Sequence, residues 1–298
     1  MNQIMTIIFR LTVSCLLAAV VMGSAFVVTN KAKKHNEYVR EQKVMYSLLG
    51  YGENKPAPES VVLHEVFRYV VKEAGEQYIG YLVPAPHEAA APFTFVVLDL
   101  DGKMAWQKPV TAEEDKIREP EDRKLAILGA IGPGKEITFA EQTFVVTDNG
   151  QRVAYLLNGK FPGFKTFISV MVALDPKYTL RGFEVLEHEE DPGLGAEIEQ
   201  DYFKNQFNGK PFDVLKGLAV VKEPLPPEYQ KALEGDIPEA EVEKMMEKYR
   251  DKNIYALTGA TISSRFVTEG LKGTVKKFAY RLDTLDSVLK EQQIAVSF

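Results

Sequence analysis

Apolar and polar positions divide the chain into a few distinct patterns. Residues 11–28, LTVSCLLAAVVMGSAFVV, carry no charge, and Ile7, Ile8 and Phe9 extend the apolar stretch across Arg10. Since about 20 residues suffice to cross a bilayer core, a transmembrane anchor is expected at 11–28 behind a short tail at 1–10. The alternative is a cleaved secretory signal, with Arg10 as its basic start and Ser24 and Ala25 near its exit, although the uncharged run is long for a signal core. Residues 37–49 read as a short helix leaving the membrane and ending at Gly50 and Gly52. Residues 54–60, with Pro56 and Pro58, read as a linker, so that 29–60 form a juxtamembrane segment.

From 61 to 157 the pattern is mostly strand. Residues 93–100 are rich in β-branched and aromatic side chains and close on Asp101-Gly102. Segments 143–147 and 151–157 flank Asp148-Asn149-Gly150, and Asn-Gly is the strongest short hairpin signal. Between them, 111–123 is charged and reads as helical or exposed. A second hairpin is expected from 166–174 and 180–187 around Asp175-Pro176-Lys177. Residues 196–207 then read as a helix with Ile198, Tyr202 and Phe207 on one face, and 214–221 as a strand. The segment 222–253, with Pro224, Pro226 and Pro227 followed by Glu/Lys-rich helical sequence, reads as a solvated insertion. After Ile262, the residues Val267, Leu271, Val275, Phe278 and Leu282 recur at helical spacing. The expected fold is α+β: an anchor, a β-rich subdomain at 61–157, a second domain at 158–285 carrying the insertion, and a C-terminal tail at 286–298.

Charge and cysteine content narrow the function. The formal net charge of −6 argues against nucleic acid as a partner, because phosphate binding needs a basic face. A single cysteine, Cys15, rules out an internal disulfide and any cluster ligated by several thiolates. Lys31, Lys33, Lys34, Arg40 and Lys43 follow the apolar run while only Arg10 precedes it, which by the positive-inside rule alone would put the rest of the chain in the cytoplasm.

Two short segments carry candidate chemistry. Thr258-Gly259-Ala260-Thr261-Ile262-Ser263-Ser264 opens the last helix. Its small residues leave the backbone accessible, and a helix N-terminus offers unpaired N–H groups and partial positive charge to a phosphate. Thr261 sits where its hydroxyl can either cap the helix or be esterified. The second segment, His188-Glu189-Glu190-Asp191-Pro192-Gly193-Leu194-Gly195, follows a strand and makes a sharp turn able to present backbone amides and Leu194 to a flat ring. Positive φ and close backbone approach are expected at Gly195. One histidine beside carboxylates at adjacent positions does not converge on a metal ion.

Together the two segments resemble a known family. TGATISS is similar to the flavinylation motif (S/T)GAT of FMN-binding domains in the G subunit of the Rnf complex and in the C subunit of sodium-translocating NADH:quinone reductase, and HEEDPGLG is similar to the family's HxETPGLG loop. The resemblance covers 160–221 and 255–282, and the order of anchor, hairpin, PGLG loop, TGAT and helix agrees. It implies FMN joined to Thr261 through a phosphoester, installed by a flavin transferase that uses FAD. Thr258, Gly259 and Ala260 would shape the attachment loop, and Glu190, Gly193, Leu194 and Gly195 would line the flavin site.

The same resemblance implies an electron carrier without a complete active site of its own, working with other membrane subunits in the lipid bilayer. Its soluble part would lie outside the cytoplasm, against the flanking charges. The TGATISS and HEEDPGLG wording lies nearer the Rnf G subunit. The quinone-reductase C subunit and a free-standing anchored flavoprotein remain alternatives. Two positions depart from the family: Asp191 stands in place of the usual Thr, and Tyr255 stands where many members have Asp ahead of the motif.

Overall fold

The computed structural model describes residues 2–298, with the side chains of 2, 27, 28, 31, 32, 34, 35 and 37 left out. Position 1, the expected anchor end at 27–28, and the side chains of Lys31 and Lys34 therefore lie outside the described residues. The chain forms two units, Met1–Ser47 and Leu48–Phe298. Helix α1 (Asn2–Leu48) runs without a break through what the charges had divided into tail, anchor and juxtamembrane helix. Charge alone does not end a helix, whereas proline does, and the first proline is Pro56. Within α1, Gln3–Phe26 spans 24 residues at a mean hydropathy of 2.3. At about 1.5 Å per residue that is roughly 36 Å, enough for a hydrocarbon core of about 30 Å.

The second unit is built on one antiparallel sheet. Its strands are β1 (Val61–Glu73), β2 (Glu76–Pro84), β3 (Phe93–Leu98), β4 (Met104–Val110), β5 (Lys135–Asp148), β6 (Gln151–Pro162), β7 (Phe167–Leu174) and β8 (Leu180–Glu187), in the order β4-β3-β2-β1-β5-β6-β7-β8. The expected boundary between 157 and 158 falls inside β6, so the β-rich segment and the following domain share this sheet. The joint is the long pairing of β1 with β5, from Val61 opposite Asp148 to Glu73 opposite Lys135. At the β5–β6 turn Asn149 and Gly150 both take positive φ, 49° and 76°, as a two-residue hairpin connection with matched twist requires.

Alternation along the strands gives the sheet two buried faces. In β3, Phe93, Phe95 and Val97 face one core while Val96 and Leu98 face the other. The first core is closed by α2 (Glu114–Arg118) and α3 (Pro120–Ile131), which bring Ile117, Ile127 and Ile131 onto Phe67, Tyr69 and Val71. The second core is closed by α8 (Thr261–Glu291), whose Val267, Leu271, Val275, Phe278 and Leu282 join Leu157, Phe161, Val170 and Val172. The helical spacing read from the sequence is the buried stripe of this helix. The C-terminal residues are not a loose tail: α8 continues to Glu291, Ile294, Val296 and Phe298 pack on the core, and Ser297 N–H donates to Pro84 O at 3.1 Å.

Between β8 and α8 the chain departs from the expected helix and strand. Residues 196–207 form a 3₁₀ turn (Gly195–Glu199), the short α4 (Asp201–Lys204) and a second turn (Asn205–Phe207). Ile198, Phe203 and Phe207 are the buried apolar residues there, with Tyr202 only partly buried. Residues 214–217, expected to begin a strand, instead belong to α5 (Phe212–Gly217), launched by Pro211 with its φ of −61°. Only β9 (Val220–Val221) remains extended, paired in parallel with β10 (Ile254–Tyr255).

The 222–253 insertion holds α6 (Pro227–Glu234) and α7 (Glu239–Tyr249), and it is docked rather than simply solvated. Tyr229, Leu233 and Tyr249 are buried, with the rings of Tyr229 and Tyr249 stacked at 3.9 Å. Lys210, 1% exposed, donates from Nζ to the carbonyls of Tyr249, Arg250 and Lys252 at 3.2, 2.9 and 2.8 Å. These carbonyls lie at and just beyond the end of α7, where helical hydrogen bonding runs out. Lys210→Met keeps the apolar stem and removes the donors, so it is expected to cost about 2–3 kcal/mol of stability, read as a lower urea midpoint at an unchanged slope.

Candidate functional site: a cleft at the start of the last helix

Three loops meet at the N-terminus of α8. The first is the turn after β6, where Gly163 N–H donates to Thr166 O at 2.5 Å and Phe164 is left 57% exposed. The second is the 188–195 loop after β8. Gly193 there takes a φ of 71°, a left-handed conformation in which a side chain would be strained. Leu194 follows at φ −133° and ψ −100°, its N–H bonded to Asp191 O at 3.1 Å and its side chain 45% exposed. The third loop leads into α8 and turns at Gly259, whose φ is 75°. A Cβ on Gly259 would lie 2.9 Å from Leu194 Cδ2, so the PGLG and TGAT segments touch through this missing side chain.

Gly195 has a different reason from the one expected. Its φ is not in the left-handed region. Instead a Cβ there would lie 2.6 Å from Glu190 Oε2 and 2.8 Å from Ser263 Oγ. Crowding, not backbone strain, excludes a side chain.

The helix start is formed without Thr261 as its cap. Ala260 occupies the cap position at φ −129° and ψ 39°, and Thr261 is the first helical residue. The loop is pinned from behind by Ser264, fully buried, whose hydroxyl accepts from Leu257 N–H at 3.0 Å and donates to Ala260 O at 3.0 Å. The first helical bond is Ser264 N–H to Ala260 O at 3.1 Å. The N–H groups of Thr261, Ile262 and Ser263 precede it, as in the open first turn of any helix. Thr261 is half-buried, and among the described residues its hydroxyl has no hydrogen-bond partner.

These elements enclose a cleft of about 320 Å³ lined by Phe164, Glu190, Asp191, Leu194, Gly195 and residues 259–263. That lies at the lower end of the range for small-molecule sites, about 300–1,000 Å³. The site residues expected from sequence come together here with two exceptions. Thr258 and Gly193 are exposed and shape their loops without lining the cleft. Phe164, Ile262 and Ser263 line it although sequence reading had not assigned them a role. Pro162-Gly163 gave a turn signal just before Phe164, but nothing local tied that turn to residues near 190 or 260.

Charge at the rim is paired. Lys165 Nζ meets Asp191 Oδ1 at 2.5 Å, a bond that raises the ammonium above its ordinary pKa. His188 accepts from Glu190 N–H on Nδ1 at 3.0 Å and faces Glu199 through Nε2 at 3.0 Å, which places its ring proton on Nε2 in the neutral form. The Lys165–Asp191 pair, exposed on both sides, adds little stability. The site's remaining features are the free Thr261 hydroxyl, open backbone donors, and apolar surface from Leu194, Phe164 and Ile262. This combination fits a phosphorylated flat ring: phosphate at the helix start, ring against the apolar side chains, close approach allowed by Gly259.

Comparison with known proteins covers the same stretch of chain. The FMN-binding domain family model matches residues 163–276. The G subunit of the proton-translocating ferredoxin:NAD(+) oxidoreductase complex of Clostridium ljungdahlii is 27% identical over 174 residues, covering 58% of this chain and 76% of that one. The C subunit of the Na(+)-translocating NADH-quinone reductase of Yersinia pestis is 30% identical over 142 residues, covering 43% and 53% of the two chains. Partial structural overlap is found with the C subunit of the Na(+)-translocating NADH-quinone reductase from Parabacteroides distasonis, at 21% identity and a TM-score of 0.35 over 67% of this chain and 78% of that one. Residues 163–276 thus match the FMN-binding domain family, and the chain is similar to G and C subunits of ion-translocating oxidoreductase complexes.

Proposed function

We propose that this chain is the membrane-anchored, electron-carrying flavoprotein subunit of an ion-translocating oxidoreductase of the Rnf type, with FMN held as a phosphoester on Thr261. The observation that carries this reading is the unengaged Thr261 hydroxyl in the first turn of α8, on the wall of a cleft with apolar surface beside it. Attachment from FAD balances simply: a bond forms between Thr261 Oγ and the flavin-side phosphorus, the pyrophosphate bond breaks, AMP leaves, and the hydroxyl proton is lost. A separate flavin transferase would supply that chemistry. The open N–H groups of α8 stabilise the resulting phosphodiester charge. Once bound, FMN supplies reversible electron transfer, and the protein fixes its position and surroundings. The relatives include both G and C subunits, so the quinone-reductase assignment is the second reading, and neighbouring genes distinguish the two.

Leu194 shields one part of the ring. Leu194→Ala is expected to change the fluorescence of the attached flavin by exposing the ring to water, with Thr261 attachment intact. Unchanged spectra would mean that the loop does not touch the cofactor.

Gln3–Phe26 is read as the anchor, with the second unit outside the cytoplasm, where a tether prevents loss of FMN by dilution. Lys33, Arg40 and Lys43 oppose this orientation, and assembly with partner subunits would have to overrule them. The test is Glu239→Cys, exposed on α7, in a Cys15→Ser background. An impermeant thiol reagent should label it in intact cells; labelling only after lysis would place the unit in the cytoplasm.

A further inference from the structure

The cleft contains one buried acid that the attachment chemistry does not use. Glu190 is 5% exposed, and both of its oxygens are committed to the protein. Oε1 accepts from Phe164 N–H at 2.7 Å and Lys165 N–H at 3.2 Å, and Oε2 accepts from the Ser263 hydroxyl in the first turn of α8. The carboxylate therefore ties the turn after β6 to the helix that bears Thr261, across 26 residues on one side and 73 on the other.

The surrounding sequence is built to admit it. A Cβ on Gly163 would lie 2.6 Å from Oε1, and one on Gly195 would lie 2.6 Å from Oε2. Two glycines, on two different loops, clear the space on either side of the same carboxylate. Phe164 sits on a turn closed by Gly163 N–H to Thr166 O, its side chain is 57% exposed, and its own N–H is the group that donates to Glu190.

We propose that Glu190 is a positioning residue rather than a flavin ligand, and that what it positions is Phe164, an aromatic contact for the bound ring. The proposal rests on the FMN reading above. A carboxylate saturated by three donors has little left to offer a ligand, whereas an aromatic ring held at the mouth of the cleft offers a flat surface for stacking.

Glu190→Gln, Glu190→Ala and Phe164→Ala, each expressed as the full chain with a flavin transferase, test the proposal. Glutamine can still accept from the two N–H groups and donate to the Ser263 hydroxyl, so its flavin spectrum and midpoint potential should match the parent. Glu190→Ala and Phe164→Ala should both shift the flavin absorption band and raise its fluorescence in the same direction, with Phe164→Ala keeping the parent melting temperature. All three should retain covalent flavin on denaturing gels, because Thr261 is untouched. The proposal is overturned if Phe164→Ala leaves the spectrum and midpoint unchanged, or if Glu190→Gln behaves like Glu190→Ala, which would make the charge itself the active feature. Should Glu190→Ala fail to fold, the other two variants still decide. A parent protein without covalent flavin would instead defeat the underlying FMN reading.

Discussion

Thr261→Ala is expected to give a folded, membrane-bound protein that carries no covalent flavin. The substitution removes a hydroxyl with no hydrogen-bond partner among the described residues, from a first helical position that alanine occupies well. Stability should therefore change by no more than about 0.5 kcal/mol, as for surface changes away from any special feature. The functional loss should be complete, because no other group can replace the acceptor oxygen. On a denaturing gel of protein co-expressed with a flavin transferase, the parent band should fluoresce and the variant band should not. Thr261→Ser retains a hydroxyl and should restore part of the signal. If the alanine variant fluoresced as strongly as the parent, the attachment site would lie elsewhere.

The second large effect is a loss of stability at Gly270, where two physical terms have opposite signs. Glycine inside a helix costs about 1 kcal/mol relative to alanine, so Gly270→Ala would stabilise α8 if the site were open. It is not open: the new Cβ would lie 2.2–2.4 Å from three carbons of the Phe161 ring, including Cγ at its base. The ring cannot swing away as the end of a flexible chain would, so α8 must move off β6. Overpacking of this kind costs about 1–3 kcal/mol and occasionally more, and the severe overlap puts the net destabilisation near ~2 kcal/mol. Gly273 is the control, since a Cβ there meets nothing within 4 Å. Gly273→Ala should stabilise by about 0.5–1 kcal/mol. Urea unfolding of both variants checks the pair, and equal effects at the two glycines would contradict the close docking of α8 on β6.

Local patterns were the readable part of this fold. The uncharged run at 11–28, the Asp148-Asn149-Gly150 turn, the stripe on α8 and the two motifs each depend on residues a few positions apart. What stayed hidden depends on distant partners. β1 pairs with β5 across some sixty residues of intervening chain, and nothing local in either strand names the other. Residues 214–217 look like a strand by composition, yet a proline just before α5 and packing against the core make them helical. The insertion looked solvated because nearly half of its side chains are charged. Its attachment comes through Lys210, ahead of it in sequence, and a few tyrosines. At the site, the glycines of PGLG and TGAT were legible as positions needing freedom. The reason for Gly195 was not, because it lies in the packing of Glu190 and Ser263.

The most direct test of the central claim is mass spectrometry of the full chain purified after co-expression with a flavin transferase. The intact mass should be raised by one FMN less one water, with fragmentation placing the addition on Thr261. An unmodified mass, with flavin released freely on denaturation, or an addition mapped to another residue would contradict it.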